Sequence, residues 1–184
     1  RPRLMCMTRL ETLDLNMPVI LEPMRTFPHV KDLVTDVSWN FRVKKAIRKF
    51  RPRKPDFPDG TWKMAQADID RVQEFRKCIE CFLCQDVCHV LREHHKHPEF
   101  AGPRHFVYTA ALDMHPLDTE NRMGQLKNEG GIGYCNITKC CTEVCPEHIT
   151  ITDNAIIPLK ERVADQFYDP ITRLFRIFQP RTAD

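Results

Sequence analysis

Residues 78–88 have the sequence CIECFLCQDVC, and the rest of the chain is organised around them. Three cysteines follow one another at intervals of two residues, and a fourth comes after three more. A second cysteine-rich stretch, residues 135–146, has the sequence CNITKCCTEVCP. Thiolates at such short intervals converge on one small volume because the backbone between them wraps around it. The two stretches therefore predict a thiolate-bound metal centre.

The first stretch has the cysteine spacing of the bacterial ferredoxin run, which binds cubane iron–sulfur clusters. In two-cluster ferredoxins the fourth cysteine of such a run binds the other cluster, and a second cysteine group supplies the missing ligand. Cys145, which precedes Pro146, fits that exchange. The ligands predicted for a four-iron cluster (4Fe-4S) are Cys78, Cys81, Cys84 and Cys145.

The second stretch departs from a complete ferredoxin run at one position. A complete run has another cysteine at position 138, where this chain has Thr138. One iron then lacks a thiolate, which favours a three-iron cluster (3Fe-4S). Its predicted ligands are Cys88, Cys135 and Cys141. Cys140 is left over, and its side chain is expected to point away from the adjacent ligand.

Zinc and disulfides are the ordinary alternatives for so many cysteines. Zinc sites use cysteine pairs separated by a long spacer and are often mixed with histidine. Disulfides suit small secreted domains. The spacing favours iron–sulfur clusters over both, and nine cysteines used mainly as metal ligands indicate a reducing compartment.

Length and charge exclude some classes of function. The 184 residues are enough for one domain and a fragment of another, and the net charge of +3 gives no argument for nucleic acid as a partner. No apolar run approaches the ~20 residues of a membrane helix. The chain begins with Arg1 in a strand-like segment, so we expect an upstream part to be absent.

The sequence pattern predicts a mostly helical chain after its first 30 residues. Residues 1–30 contain two short apolar runs that indicate strands. Apolar spacings of three and four predict a helix within residues 31–50 and an amphipathic helix over residues 66–77. Gly102-Pro103 predicts a helix start. Further helices are expected over residues 118–127 and from about Thr152 to Phe167, the last with a kink at Pro158.

Three polar or apolar surfaces have open interpretations. A basic run ends the first predicted helix; its members are Arg42, Lys44, Lys45, Arg48, Lys49, Arg51, Arg53 and Lys54. It is either a solvated helix face or a contact for an acidic partner or anionic lipid. A histidine-rich link follows Cys88, without regular ligand spacing. Near the C-terminus, an apolar patch formed by Leu174, Phe175, Ile177 and Phe178 is expected to pack on a partner or on the domain.

With these residues in view, the chain resembles the iron–sulfur subunit of succinate dehydrogenase and fumarate reductase. The resemblance covers essentially all 184 residues. It rests on the first cysteine run, on Phe100-Ala-Gly-Pro103 and on the segment from Cys135 to His148. The five-residue gap between Cys135 and Cys141, with no cysteine at 138, is specific to this family among ferredoxin-like proteins.

The resemblance implies two domains. Residues 1–34 would be the C-terminal remnant of a plant-type, β-grasp ferredoxin domain that binds a two-iron cluster (2Fe-2S). Residues 35–184 would form a helical ferredoxin domain with two clusters, so the fold class is mainly α. Cys6 would be the fourth ligand of the two-iron cluster, with the other three ligands outside this chain.

The function implied is electron transfer within succinate:quinone oxidoreductase, respiratory complex II of the tricarboxylic acid cycle. Electrons would come from an FAD-bearing flavoprotein subunit and reach quinone at a membrane-anchor subunit. The chain has no succinate site of its own. It would be peripheral on the cytoplasmic face of a bacterial inner membrane, or on the equivalent matrix face.

Two departures from the family concern quinone. Ubiquinone-linked members usually have Pro after the fourth cysteine of the first run, followed by Trp residues, and a His or similar polar residue after the first cysteine of the second group. This chain has other residues there, which suggests a lower-potential quinone such as menaquinone; the candidate contacts are His89, Arg92 and Asn136. The alternatives are an electron-transfer subunit of another flavoprotein complex, similar to heterodisulfide reductase, and a zinc-binding interaction module.

Overall fold

Helices form most of the ordered elements in this computed structural model, which describes residues 2–170. The strands and α-helices are β1 (His29–Lys31), β2 (Val34–Thr35), α1 (Ser38–Ala46), α2 (Gln66–Arg76), α3 (Leu83–Asp86), α4 (His89–Arg92), α5 (Pro103–Asp113), α6 (Met123–Asn128), α7 (Cys140–Glu143) and α8 (Ile157–Phe167). Short 3₁₀ turns occur at Met5–Met7, Leu10–Thr12 and Ile132–Tyr134, and a π-helical turn, Ile151–Ile156, runs directly into α8.

The core lies between α2, α5, the π-helical turn and α8. α5 starts where the sequence predicts, with Pro103 in its first turn, where a missing N–H costs nothing. Phe106 of α5 and Leu159 of α8 are fully buried in this core. Cys84, Cys88 and Cys141 belong to the same buried cluster of side chains. The two cysteine stretches are therefore part of the packed interior.

The predicted helix within residues 31–50 forms only in part. Residues 29–35 instead make an antiparallel hairpin of β1 and β2, with Asp32 in the left-handed region at φ 50°. The carboxylate of Asp36 then accepts a hydrogen bond from the backbone N–H of Ser38 at 2.8 Å, at the start of α1. An aspartate in the turn and another before the helix thus override the apolar periodicity.

The strands predicted for residues 1–30 are mostly wrong. Around Cys6 the chain forms a 3₁₀ turn, Met5–Met7, and β1 at His29–Lys31 is the first strand in the described part of the chain. A strand needs a neighbour for its backbone hydrogen bonds, and none lies beside residues 2–12 in the structure. The β-grasp remnant predicted for residues 1–34 is therefore not confirmed.

The remaining helices follow the sequence with two changes. α6 begins at Met123 rather than at Asp118, because residues 118–122 bind the segment at 48–53. Arg122 is fully buried and donates hydrogen bonds to the carbonyls of Arg48 and Lys49, both at 2.9 Å. Pro158 lies in the first turn of α8, directly after the π-helical turn.

The basic run is partly neutralised within the chain. Lys44 pairs with Glu80, Arg48 with Glu120 and Arg53 with Asp56. Within residues 2–170, no helix is long and apolar enough to cross a membrane. The predicted apolar patch at residues 174–178 lies outside the described residues.

Candidate functional site

The four cysteines predicted for the first cluster line one cavity. Cys78, Cys81 and Cys84 come from one stretch, and Cys145 comes from a loop more than sixty residues later. Apolar and charged side chains complete the wall, among them Val107 and Arg104 of α5. The fold thus brings together the set that the sequence predicts, including the cysteine exchanged between the two stretches.

The two cysteine stretches have the same backbone conformation. Each places two residues with positive φ before a four-residue helix: Glu80 and Phe82 before α3, and Ile137 and Lys139 before α7. The corresponding positions are 57 residues apart, as are Cys78 and Cys135. Positive φ is uncommon for non-glycine residues and strained for a β-branched residue such as Ile137. Strain repeated at both stretches indicates a functional constraint on the backbone.

The repeat places the departures from a complete run on equivalent positions. Thr138 corresponds to Cys81, and Cys140 corresponds to Leu83, a buried core residue. The helices α3 and α7 pack against each other. The two stretches therefore form two similar helix–loop halves that lie side by side.

The cysteines outside the first group that lie in the two stretches are Cys88, Cys135, Cys140 and Cys141, and we call them the second cysteine group. This group lies next to the first. Cys88 and Cys141 are buried, whereas Cys135 and Cys140 are half-buried. The Sγ atom of Cys141 lies 3.5 Å from the hydroxyl of Thr152, in the π-helical turn. The backbone N–H of Thr152 donates a hydrogen bond to the hydroxyl of Thr142 at 2.9 Å, which holds Thr152 in place.

The sequence analysis expected the side chain of Cys140 to point away from the adjacent ligand, Cys141, but the structure places its thiol beside Thr138. Its Sγ atom is 3.4 Å from the hydroxyl of Thr138, the residue that replaces the missing cysteine. Its charge is among the causes that raise the pKa of both Cys88 and Cys141. The thiol therefore faces the same region as the predicted three-iron ligands.

Burial raises the pKa of the buried thiols. It raises the pKa of Cys88 and of Cys141 to about 11, and that of Cys84 well above its ordinary value. Neighbouring cysteines raise these pKa values further, because several negative thiolates would lie close together. Backbone N–H groups act in the opposite direction, from Leu91 and Val90 on Cys88 and from Leu83 on Cys81.

These properties fit thiolates that share their charge with iron. Metal binding releases the thiol protons, and a buried thiol of high pKa otherwise remains neutral and inert. All nine cysteines are free of disulfides. Among residues 2–170, no three His, Cys, Asp or Glu side chains are arranged to hold one metal ion. A cluster has a different requirement, because each thiolate binds a separate iron.

Of the three predicted quinone contacts, His89 and Arg92 follow Cys88 in the sequence and Asn136 follows Cys135. The structure shows no hydrogen bond or ion pair that joins these three side chains to one another. His89 and Arg92 are the first and last residues of α4, whose N-cap is Cys88. Arg92 is half-buried and its Nε donates to Glu93 at 2.7 Å. Asn136 is exposed beside Cys135.

Other predicted residues lie away from the cysteine groups. Cys6 is exposed on its 3₁₀ turn. In the histidine-rich link, His97 packs edge-on against Trp39, with the ring centres 4.9 Å apart. Burial lowers the pKa of His97, and the link shows no common ligand geometry. Its histidines are explained by packing and exposure.

The sequence analysis missed a charged and polar network beside the first group. Arg104 and Lys44 both donate to Oε1 of Glu80, which lies between two predicted ligands. Gln85, next to Cys84, donates to the side chain of Asn40 at 3.0 Å and accepts from the backbone N–H of Arg104 at 3.3 Å. In the sequence, the only sign of this packing was the glycine at position 102. In the structure Gly102 has φ +87° and lies directly against the side chain of Gln85.

Comparison with known proteins places these observations in context. Residues 74–149 match the family model described as a 4Fe-4S dicluster domain. The chain is 32% identical over 153 residues to the fumarate reductase iron–sulfur subunit of Mycobacterium tuberculosis, covering 80% of this chain and 60% of that protein. It is 29% identical over 161 residues to the succinate dehydrogenase iron–sulfur subunit of Bacillus subtilis, covering 83% and 60%.

A solved structure is similar over most of the chain. A chain of the Mycobacterium smegmatis Sdh1 complex in the apo form is 60% identical and superposes with a TM-score of 0.87. The match covers 93% of this chain and 72% of the other. The chain spans 60% of the length of each of the two curated relatives described above.

Proposed function

The chain belongs to the family of succinate dehydrogenase and fumarate reductase iron–sulfur subunits, and from this premise we propose that it is the electron-transfer subunit of a succinate:quinone oxidoreductase. It transfers electrons between an FAD-bearing flavoprotein subunit and quinone at a membrane anchor. The chain contributes no succinate site of its own. It lies peripherally on the cytoplasmic face of a bacterial inner membrane or the equivalent matrix face.

One observation carries the proposal: a single cavity is lined by Cys78, Cys81, Cys84 and Cys145. These four thiolates hold a 4Fe-4S cluster. Cys88, Cys135 and Cys141 hold a 3Fe-4S cluster in the adjoining group. The exchange of Cys88 and Cys145 between the stretches supports two clusters side by side, because each stretch then contributes to both.

The residues of the chain hold and tune these centres. When bound, the clusters accept and release single electrons at potentials set by charge, hydrogen bonds to sulfur and exposure. Backbone N–H groups of Leu91 and Val90 point at the thiol of Cys88 and stabilise its thiolate. The packed interior around Cys84 and Cys141 excludes water from the ligands.

The N-terminal segment supports a large contact with other protein. Many apolar side chains between residues 2 and 34 are exposed, including Met5, Leu10, Leu15, Ile20 and Val30. Extensive exposed apolar surface indicates an interaction site. We propose that this segment packs with a plant-type ferredoxin domain, where Cys6 is the fourth ligand of a 2Fe-2S cluster, and with the flavoprotein subunit.

The quinone is proposed to be menaquinone, reduced near the second cysteine group. His89 and Arg92 on α4 and the exposed Asn136 flank Cys88 and Cys135, so they are the candidate contacts. Substituting all three by alanine should raise the apparent KM for a menaquinone analogue at least several-fold. The control replaces His94 and His95, exposed histidines of the same link. Unchanged KM and rate in the triple variant would rule out these contacts.

Low-temperature EPR tests the cluster assignment. The assembly is purified through a tag on this chain and measured as oxidised and as dithionite-reduced protein. We expect a three-iron signal in the oxidised sample and a four-iron signal after reduction. Cys141→Ala should abolish the three-iron signal, whereas its neighbour variant Cys140→Ala should retain it. A colourless protein containing zinc would overturn the proposal.

One observation favours a second candidate, an electron-transfer subunit of a heterodisulfide-reductase-like complex. The thiol of Cys140 faces the second group beside Thr138, so it could complete four thiolates there. Two four-iron signals after reduction, without an oxidised three-iron signal, would favour this candidate. Loss of one of those signals in Cys140→Ala would identify the eighth ligand.

A further inference from the structure

A buried guanidinium forms part of the wall of the first-cluster cavity. Arg104 lies in the first turn of α5 and is only 7% exposed. It lines the same cavity as Cys78, Cys81, Cys84 and Cys145. Its Nη2 atom donates to Glu80, whereas its Nε atom is buried without a hydrogen-bond partner among the described residues. A full positive charge is thus held beside the cysteines.

The position of this charge is fixed from several sides. The backbone N–H of Arg104 donates to the buried side chain of Gln85, and its guanidinium lies 5.5 Å from the ring centre of Tyr108. Arginine remains charged at every pH that the protein tolerates. A fixed positive charge therefore lies in the wall of the cavity that the four predicted cluster ligands share.

A negative charge opposes it from within the first cysteine stretch. Glu80 lies between Cys78 and Cys81, and its Oε1 accepts hydrogen bonds from both Lys44 and Arg104. Two ion pairs, with Lys44 and with Arg104, hold the Glu80 carboxylate within the cysteine stretch. Charges of both signs therefore lie beside the first group of cysteines.

Charges in this position have predictable effects on a redox centre. A cluster with four thiolates becomes more negative when it takes up an electron. A nearby positive charge favours the reduced form, and a nearby negative charge favours the oxidised form, more strongly in a buried site than in water. We propose that Arg104 and Glu80 set the reduction potential of the first cluster, Arg104 by raising it and Glu80 by lowering it. This inference rests on the proposed function.

The test is a redox titration of the tagged assembly, followed by the four-iron EPR signal. Arg104→Met removes the positive charge and keeps much of the side-chain volume. At the wild-type midpoint, we expect the ratio of reduced to oxidised first cluster to fall about tenfold, which is 59 mV for a one-electron couple. Glu80→Gln should shift the ratio in the opposite direction. Arg104→Lys keeps the charge and should stay close to the wild type.

Two controls separate this effect from damage to the fold. Arg48→Met removes an arginine that binds Glu120 and the carbonyl of Asn121, outside the cavity wall, and should leave the potential unchanged. The three-iron signal of each sample is the internal reference, and the integrated four-iron signal reports cluster content. A purely structural role would reduce cluster content without opposite shifts in the two variants.

The outcomes distinguish this inference from the proposed function. Opposite shifts in Arg104→Met and Glu80→Gln support it. Unchanged potentials, or shifts in one direction, overturn it while leaving the proposed function intact. If Arg104→Met binds no cluster, the other two variants test the inference. A raised reduction potential in Glu80→Gln, with an unchanged potential in Arg104→Lys, supports it. An unchanged potential in Glu80→Gln overturns it. Absence of a four-iron signal in the wild type refutes the proposed function itself.

Discussion

Replacing Gly102 by alanine should destabilise the protein strongly, because the added methyl group has no room. Gly102 has φ +87°, and a Cβ atom there would lie 2.1 Å from Oε1 of Gln85. Gln85 is buried and holds α3 in place through Asn40, the carbonyl of Ala101 and the backbone N–H of Arg104. The side chain cannot move without giving up these bonds.

The magnitude follows from two contributions. With φ 87° and ψ 170°, Gly102 occupies a backbone region that is essentially restricted to glycine, where another residue costs about 1–3 kcal/mol. Each of the three hydrogen bonds of Gln85 contributes about 1 kcal/mol net, so their loss brings the total to roughly 4–6 kcal/mol. For a chain of this size the melting temperature should fall by roughly 8–24 °C. The control is Gly60→Ala, since Gly60 has φ +85° with no atom within 4 Å of the new Cβ.

Thermal melts followed by circular dichroism, at one scan rate and with iron content measured, test this reasoning. Gly60→Ala should lose only about 2–8 °C, because it has the backbone cost alone. The double variant Gly102→Ala with Gln85→Ala should be less destabilised than the sum of its parts, since the methyl group then has space. Equal melting temperatures for Gly102→Ala and Gly60→Ala would refute the clash with Gln85.

Three further predictions concern the core. Removal of iron should abolish most of the helical circular dichroism signal, because several predicted cluster ligands are part of the packed interior. An iron-free protein with full helix content would contradict this prediction. Burial, and then the charge of Arg104, lower the pKa of His105 to about 4. The contribution of the neutral imidazole to the free energy of unfolding is therefore full above pH 6.5. It falls by roughly 3 kcal/mol as the pH drops towards 4. His105→Leu should flatten urea-unfolding stability across that window relative to the wild type, and an unchanged slope would refute the assignment. In the wild type, the buried carboxylate of Asp118 lies 2.8 Å from the guanidinium of Arg122, and Arg122→Met leaves it without this charged partner. Urea unfolding should show a loss of about 3–5 kcal/mol, against less than about 0.5 kcal/mol for the exposed control Arg9→Met. Similar losses in both variants would contradict the role of Arg122.

The success of the sequence predictions depended on how local the signal was. The helix α2 was predicted nearly to the residue and α5 at its start, because apolar spacing and the Gly102-Pro103 start are local properties of the chain. The hairpin at residues 29–35 and the late start of α6 were missed. Both depend on particular side chains: Asp32 in a left-handed turn and Arg122 bound to a distant segment.

The cysteine groups show the same division. Spacing alone predicted that Cys145 would join Cys78, Cys81 and Cys84, and the cavity contains all four. Spacing could not predict that the thiol of Cys140 lies beside Thr138, because that contact depends on the backbone conformation between them, where Lys139 has a positive φ.

The sequence by itself determined the type of metal chemistry, the grouping of the cysteines and the main helices, because ligand spacing and apolar periodicity are encoded over a few residues. The tertiary structure alone decided which charges surround the first group. Arg104 and Lys44 reach Glu80 from 24 and 36 positions away, and no short pattern records such a meeting. Long-range packing brings these groups together, and it buries Arg104 while Lys44 and Glu80 stay partly exposed.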